Sequence, residues 1–395
     1  MITASRADVR WVEHRKPNRP DVLLIGAMAA LAALGIVMVY SASAPRLEAL
    51  DLAANSEMRR QAVFAAAGFV GFLIASFFPV PLLKRLTPFI YALAVLLLIA
   101  VLSPLGDIRA GAQRWIQLGP FQLQPSEFAK PAIIVTLAAL LATVEEGAMR
   151  WWRILRAVVV VSVPSVLIFM QPDLGTMLVF GFVGVAMLFV AGTTFRQLIT
   201  LVVAGLVGAV LLLSLGVLKD YQLQRLTGFL DQGESLATAN YNQFQSQVTI
   251  GSGQLFGKGL FEGDQTNLSF VPAQSTDFIF TALAEQLGFA GAAAVLFLYA
   301  LVVWRLLMMA ANANTRFGQL VAAGAAAFIG FHVFVNIGMT VGIMPVTGLP
   351  LPLMSAGGSA FISTCLALGI AHAVWLQRSP VPGERALLQS PLPWT

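Results

Sequence analysis

The chain has 395 residues, of which 58% are hydrophobic and only 11% charged, against about 25% charged in an ordinary soluble domain. Mean hydropathy is +0.80 and the isoelectric point is near 9.7. These values exclude a soluble globular enzyme, a disordered chain and a nucleic-acid-binding module, and they make the net charge of +5 a matter of membrane topology. Cys365 is the only cysteine, and His14, His332 and His372 lie far apart, so neither an internal disulfide nor a metal motif is present.

A helix needs about 20 apolar residues to cross a bilayer. That window predicts ten spans, at 22–43, 61–79, 85–103, 126–144, 152–170, 174–192, 197–217, 278–304, 317–343 and 356–377. Helices are expected because lipid offers no partner to unpaired backbone groups. The first span follows a basic stretch and ends in Ala42-Ser43-Ala44, but it is too long for a signal-peptide core and is read as a retained anchor. The organisation is then a basic segment at 1–21, a membrane domain at 22–377 and a Pro-rich tail at 378–395. With the N-terminus in the cytoplasm, 15 of the 24 Lys and Arg fall inside and 13 of the 19 Asp and Glu outside. The positive-inside rule therefore places both termini in the cytoplasm.

In the outer loop 104–125, Arg109 and Arg114 precede Trp115, and Gln124-Pro125-Ser126-Glu127-Phe128-Ala129-Lys130 opens the fourth span. Pro125 suits a first helical turn. Glu127 and Lys130 are three apart and share a face; spacing alone fits a helix-end ion pair as well as a charged cavity wall. Between spans five and six, Gln171-Pro172-Asp173-Leu174-Gly175-Thr176 ends one helix and starts another, and capping is a sufficient role for Asp173. The outer loop 218–277 is too long for a plain connection. Its Phe229, Leu230, Leu255, Phe256, Leu260, Phe261, Leu268 and Phe270 argue that it is ordered. It ends in Thr276-Asp277-Phe278, where Asp277 is either an N-cap or a working carboxylate. Glu285 lies eight residues on, about 80° round a helix, and is expected on the same side as Asp277, two turns deeper. His332 and Asn336 share a face of span nine and are read as hydrogen-bonded inside the bundle. Two prolines and the run Ser355-Ala356-Gly357-Gly358-Ser359 mark an outer re-entrant turn, with close helix packing as the default role of the small residues.

The ionisable candidates cluster at the outer ends of the spans. An ion-coupled transporter would carry more charge near mid-membrane. The pattern fits chemistry at the outer leaflet on an amphiphilic substrate, and no nucleotide or zinc signature is present.

Arg114-Trp115, Pro125-Ser126-Glu127-Phe128-Ala129-Lys130, Gln171-Pro172-Asp173-Leu174-Gly175-Thr176, Thr276-Asp277-Phe278-Ile279-Phe280 and Gly348-Leu349-Pro350-Leu351-Pro352-Leu353 together resemble the SEDS family (shape, elongation, division and sporulation). The resemblance runs from about 22 to 377. Residues 339–348 and Gly257-Lys258-Gly259 look closer to the elongation branch, RodA, than to the division branch, FtsW. Ala356 departs from the family, where an aromatic is usual, and so does Gln274-Ser275, where a basic residue and His are common. The resemblance implies an all-α SEDS fold of ten transmembrane helices in a bacterial cytoplasmic membrane, with the active site facing outward. It implies a peptidoglycan glycosyltransferase that polymerises lipid II: the growing strand donates its reducing-end sugar, and the 4-hydroxyl of an incoming lipid II attacks it.

In that reading Asp277 is the general base, its pKa raised toward a useful value by partial removal from water. Arg109, Arg114 and Lys130 steady the leaving diphosphate, with Glu127 orienting Lys130. Gln171, Asp173, Thr276, Glu285, Ser355 and Ser359 are supporting residues. A divalent cation, Mg or Mn, is expected with substrate, Asp277 being one candidate ligand, and no organic cofactor is expected. Spans two to five are expected to frame a groove for the polyprenyl tail. The implied partners are a class B penicillin-binding protein and other elongation-complex membrane proteins, with no nucleic acid. The competing readings are a lipid II flippase, a division or sporulation paralogue, and a non-catalytic scaffold.

Overall fold

The structure is a computed structural model that describes residues 19–109, 112–119, 121–142, 149–216 and 239–378. Most of the N-terminal segment, residues 218–238 of the long loop, and the tail lie outside the described residues.

Ten helices match the ten predicted spans: α1 (Val22–Ala49), α2 (Ser56–Phe77), α3 (Val80–Leu102), α4 (Pro125–Leu141), α5 (Trp151–Met170), α6 (Leu174–Val190), α7 (Phe195–Ser214), α10 (Ile279–Ala311), α11 (Arg316–Val341) and α12 (Gly358–Leu376). Among the described residues, two further helices, α8 (Ala239–Ser252) and the single-turn α9 (Asp264–Asn267), belong to the long loop. Among the described residues, seven helices are long and apolar enough to cross a membrane, and α6 and Phe195–Leu211 are shorter apolar helices. The last of the ten, α4, carries Glu127 and Lys130 into the bundle.

Burial separates the helices by role. In α4 every residue except Phe128, Ala139 and Leu140 is buried, and α11 and α12 are also largely enclosed. By contrast α3 exposes Phe89, Leu93, Leu96 and Ile99, and α7 exposes Ile199, Val202, Leu206 and Val210. Apolar side chains facing outward at helical spacing are the mark of a lipid-facing surface. The centre is thus α4, α11 and α12, with α2 against α12, α3 and α6 against α4, and α1 and α11 against α10.

Two loops are built. Residues 104–125, read from the sequence as a long outer loop, contain an antiparallel sheet of β1 (Gly106–Arg109), β2 (Ala112–Leu118) and β3 (Phe121–Leu123), in the order β1-β2-β3. It pairs Gly106 with Ile116 and Ile116 with Leu123. The turn at 349–355 is buried at Leu349, Leu351, Leu353 and Met354, as a re-entrant segment must be. Helix α1 meets it at Gly35, where a Cβ would come within 2.6 Å of the Met354 Cα, so only glycine allows the approach.

Helix α10 breaks at Gly288, whose φ is 64° and ψ −165°. A break frees carbonyls on one side and amides on the other, and each needs a partner. The long loop supplies four of these partners. Lys258 N donates to Glu285 O at 3.0 Å and Gly259 N to Gln286 O at 3.1 Å, while Phe289 N and Ala290 N donate to Gln254 O and Leu255 O at 2.9 and 3.0 Å.

Candidate active site

The family of polar groups at the loop end of the bundle is organised by β3, which runs straight into α4. Ser359 Oγ, on α12, accepts from Gln124 N at 3.0 Å and donates to Gln122 O at 3.2 Å. That fixes the sheet, and so Arg114 and Trp115, over the start of α4 and α12.

A cavity of about 260 Å³ lies here, lined by Arg114, Trp115, Glu127, Asp173, Thr276 and Asp277, with residues 348–350, 356 and 357 of the turn and Ser359 and Ala360 of α12 adding to the wall. Asp277 is half-buried. It is not the N-cap of α10: that position is Phe278, and no side chain caps the helix. Its backbone is pinned twice, by donation from Asp277 N to Ala273 O at 3.0 Å and by acceptance from Asn336 Nδ2 at 2.8 Å. Asn336 also donates to Leu349 O at 2.7 Å, tying the carboxylate's segment to the re-entrant turn.

Glu127 lines the cavity from α4, and Lys130 sits behind it. The ammonium lies 2.6 Å from Glu127 Oε1 and 3.1 Å from His332 Nε2, with the side chain 1% exposed. Ser363 Oγ completes the group at 3.3 Å from Glu127 Oε2. Lys130 therefore does not present its charge to the cavity, which corrects its expected role as a direct diphosphate contact. The physical reason is local: i,i+3 spacing and burial drive the two charges together.

His332, read as a bundle hydrogen-bonding residue, does that and more. Its Nδ1 lies 3.0 Å from Phe328 O, a pure acceptor, so Nδ1 carries the proton and Nε2 offers a lone pair to Lys130. His332→Leu is expected to lower stability by about 1–3 kcal/mol, since it strips a partner from a buried cation. His332→Gln is expected to recover most of it, because an amide can accept from Lys130 and donate to Phe328. Thermal unfolding of the two purified variants checks this.

The other expected residues divide. Arg114 Nε donates to Gln171 O at 3.0 Å and its Nη2 to Pro172 O, which leaves further guanidinium N–H groups for the cavity it lines. The side chain of Arg109 lies outside the described residues. Asp173 caps α6, accepting from Thr176 N at 3.2 Å and Thr176 Oγ1 at 3.0 Å, and lines the cavity as well. Thr276 is on the rim and donates to Ala273 O at 3.1 Å. Gln171 faces away, its Nε2 donating to Leu98 O at 3.0 Å. Ser355 stabilises the turn by accepting from Leu351 N at 2.8 Å, outside the cavity wall.

Glu285 corrects the helical-wheel expectation. The helix begins only at Ile279, so 100° per residue does not apply from Asp277. Glu285 is fully buried and turned to the long loop, accepting from Gln265 N, Thr266 N and Thr266 Oγ1 at 2.7–2.9 Å. Lys258 Nζ, which also pairs with Asp264 at 2.9 Å, lies 3.3 Å from it. Glu285→Leu would leave these donors unpaired. It is expected to cost about 3 kcal/mol or more and to open residues 254–270 to limited proteolysis, read by the cleavage rate against wild type.

A second cavity, of about 440 Å³, adjoins the first and shares Trp115, Thr276, Ala356 and Gly357 with it. Arg46, Glu57, Arg60 and Phe64 line its far end. Arg46 pairs with Glu57 at 2.7 Å, and the Arg60 guanidinium lies 5.6 Å from the Phe64 ring centroid.

The FtsW/RodA/SpoVE family model, described as cell cycle protein, matches residues 21–379. The chain belongs to this family. It is 37% identical to the peptidoglycan glycosyltransferase MrdB of Escherichia coli K12, over 91% of this chain and 94% of that one. To stage V sporulation protein E of Bacillus subtilis it is 34% identical, over 90% and 96%. Among solved structures it resembles a chain of a peptidoglycan synthase complex described as coordinating polymerization and crosslinking, with a TM-score of 0.74 and 32% identity over 91% of this chain and 98% of that one. The Thermus thermophilus rod shape determining protein RodA matches with a TM-score of 0.68 and 30% identity over 92% and 99%. The all-α membrane fold expected of the family is the fold observed, and the chain is a multi-pass membrane protein.

Proposed function

We propose that the chain is a peptidoglycan glycosyltransferase that polymerises lipid II at the outer face of the bacterial cytoplasmic membrane during cell elongation. The observation that carries the reading is a half-buried carboxylate, Asp277, on the rim of a cavity that also holds a guanidinium, Arg114. The 4-hydroxyl of the incoming lipid II gives its proton to Asp277 as its oxygen bonds to C1 of the donor sugar. The bond from C1 to the diphosphate breaks, and the diphosphate leaves with the electron pair. Arg114 steadies that growing charge, which is worth more at the transition state than before it. Lys130 acts through Glu127, holding its carboxylate in place from behind.

Both termini lie in the cytoplasm in this reading, and residues 22–377 form one membrane domain between the segments 1–21 and 378–395. Among the described residues no three His, Cys, Asp or Glu side chains converge as ligands, so Mg²⁺ or Mn²⁺ would arrive with the diphosphate, and no step depends on it here. A class B penicillin-binding protein is the proposed partner, supported by the likeness to the synthase complex. The test is glycan polymer formation from lipid II by the full-length protein, with and without that partner. Transfer of lipid II across vesicles without polymer would instead identify a transporter.

A further inference from the structure

Helices α6 and α7 are joined by residues 191–194 alone, a connection short enough to seat two antiparallel helices against each other. They stand apart instead. A groove of about 390 Å³ runs between them, and its wall offers no polar atom. Phe182 and Phe189 line it from α6, and Phe195, Ile199 and Val202 from α7. One wall is firm, because Phe182 stacks on Phe331 of α11 with ring centroids 4.4 Å apart. With nothing in it to hold water, a groove of this kind within a bilayer takes hydrocarbon.

The groove lies toward the end of α6 opposite Asp173. Helix α6 is about 25 Å long, so this end belongs to neither cavity beside Asp277. Helices α5, α7 and α11 all begin here, and helix N-termini carry partial positive charge. Three guanidiniums meet at the same end. Arg196 follows Phe195 in the first turn of α7. Arg316 Nη2 donates to Val190 O at 2.8 Å. Gln197 Nε2 donates to Met149 O at 2.8 Å, which holds Arg150 beside that turn. All three arginines are exposed, and among the described residues no carboxylate pairs with any of them. No Asp or Glu occurs within α5, α6, α7 or α11. In the connecting turn Thr193 Oγ1 is buried, with no hydrogen-bond partner among the described residues.

We infer that the groove between α6 and α7 is a binding site for an anionic phospholipid of the inner leaflet: one acyl chain fills the apolar space, and the phosphate-bearing headgroup sits at Arg150, Arg196 and Arg316. The charge decides the occupant. A neutral lipid or a partner helix would fill the space equally well but would leave three cations uncompensated at its mouth. Basic residues are expected on this side; their ring around an apolar groove is not. The lipid takes no part in the transfer reaction, whose groups lie at the other end of α6. The choice of leaflet rests on the glycosyltransferase reading, which sets Asp277 on the outer face.

The experiment titrates the full-length protein in detergent with phosphatidylglycerol or with phosphatidylcholine of the same chains, and counts bound lipid by native mass spectrometry. The wild type is expected to retain one phosphatidylglycerol in preference to phosphatidylcholine. Arg196→Gln is expected to weaken phosphatidylglycerol about fivefold, one cation's worth at a membrane surface, and Arg150→Gln combined with it about 25-fold. Phosphatidylcholine should be unaffected by either, and Arg196→Lys should restore the wild-type value. Ala186→Phe fills the groove from α6 and Val202→Trp from the exposed face of α7, so each is expected to weaken both lipids, with thermal unfolding as the control for folding. Equal retention of the two lipids, or phosphatidylglycerol binding that survives both filling variants, would overturn the site. A dimer mass that is lost in the filling variants would give the groove to a second copy and overturn the lipid. Labelling of Thr194→Cys by an impermeant reagent from outside the cell would overturn the leaflet, and with it the outward-facing glycosyltransferase site, whatever the lipid preference.

Discussion

Replacing Asp277 with asparagine lowers polymer formation by about 10²–10⁴-fold, the contribution of a positioned general base, and leaves the fold intact. Asparagine matches the carboxylate in shape but cannot take the proton from a sugar hydroxyl. The two contacts that fix this segment are made by the backbone, through Ala273 O and Asn336 Nδ2, and survive the change. The same reasoning separates Asp277 from Glu285, whose loss is expected to show first in stability. The measurement is glycan chain yield from lipid II, with thermal unfolding of the same preparation as the control for folding. Wild-type yield from Asp277→Asn would remove the base assignment and leave Asp277 as a turn residue.

Neutralising one member of the Glu127–Lys130 pair costs about 3–5 kcal/mol, because it strands the other charge inside the bundle. Glu127→Gln and Lys130→Met are each expected to lower the unfolding temperature sharply. The double variant is expected to recover a large part of that loss, since it strands nothing. Their non-additivity measures the coupling between the two groups. Polymerisation by the double variant should nevertheless stay well below wild type, because the cavity wall has lost the charge of Glu127. A simple sum of the two single effects would mean that the 2.6 Å contact carries no special weight.

The spans were legible in the sequence because a bilayer demands a long unbroken apolar run, and each such run here is bounded by Pro, Gly or charge. The small sheet was not. Its strands are short, and they lack the apolar alternation that marks a half-buried strand. At the site, Glu127, Asp173 and Asp277 stood out as carboxylates at span ends. What the sequence could not show was which way Lys130 points. That depends on the face α4 turns to α11, where His332 waits with a lone pair. A buried cation three residues from a carboxylate was the available signal for an enclosed pair. Glu285 was misplaced for a different reason: the wheel was started two residues before the helix.

The break at Gly288 has a bearing on how the protein comes to exist in its bilayer. Its freed amides and carbonyls lie well inside the predicted span 278–304, where lipid offers nothing to bind them and each naked group costs several kcal/mol. Four of their partners lie in residues 254–259, which are synthesised earlier than the helix. The kinked shape is therefore inaccessible to the helix alone. The kink and the docked loop therefore stabilise one another, and α10 reaches its final shape only together with the external cap.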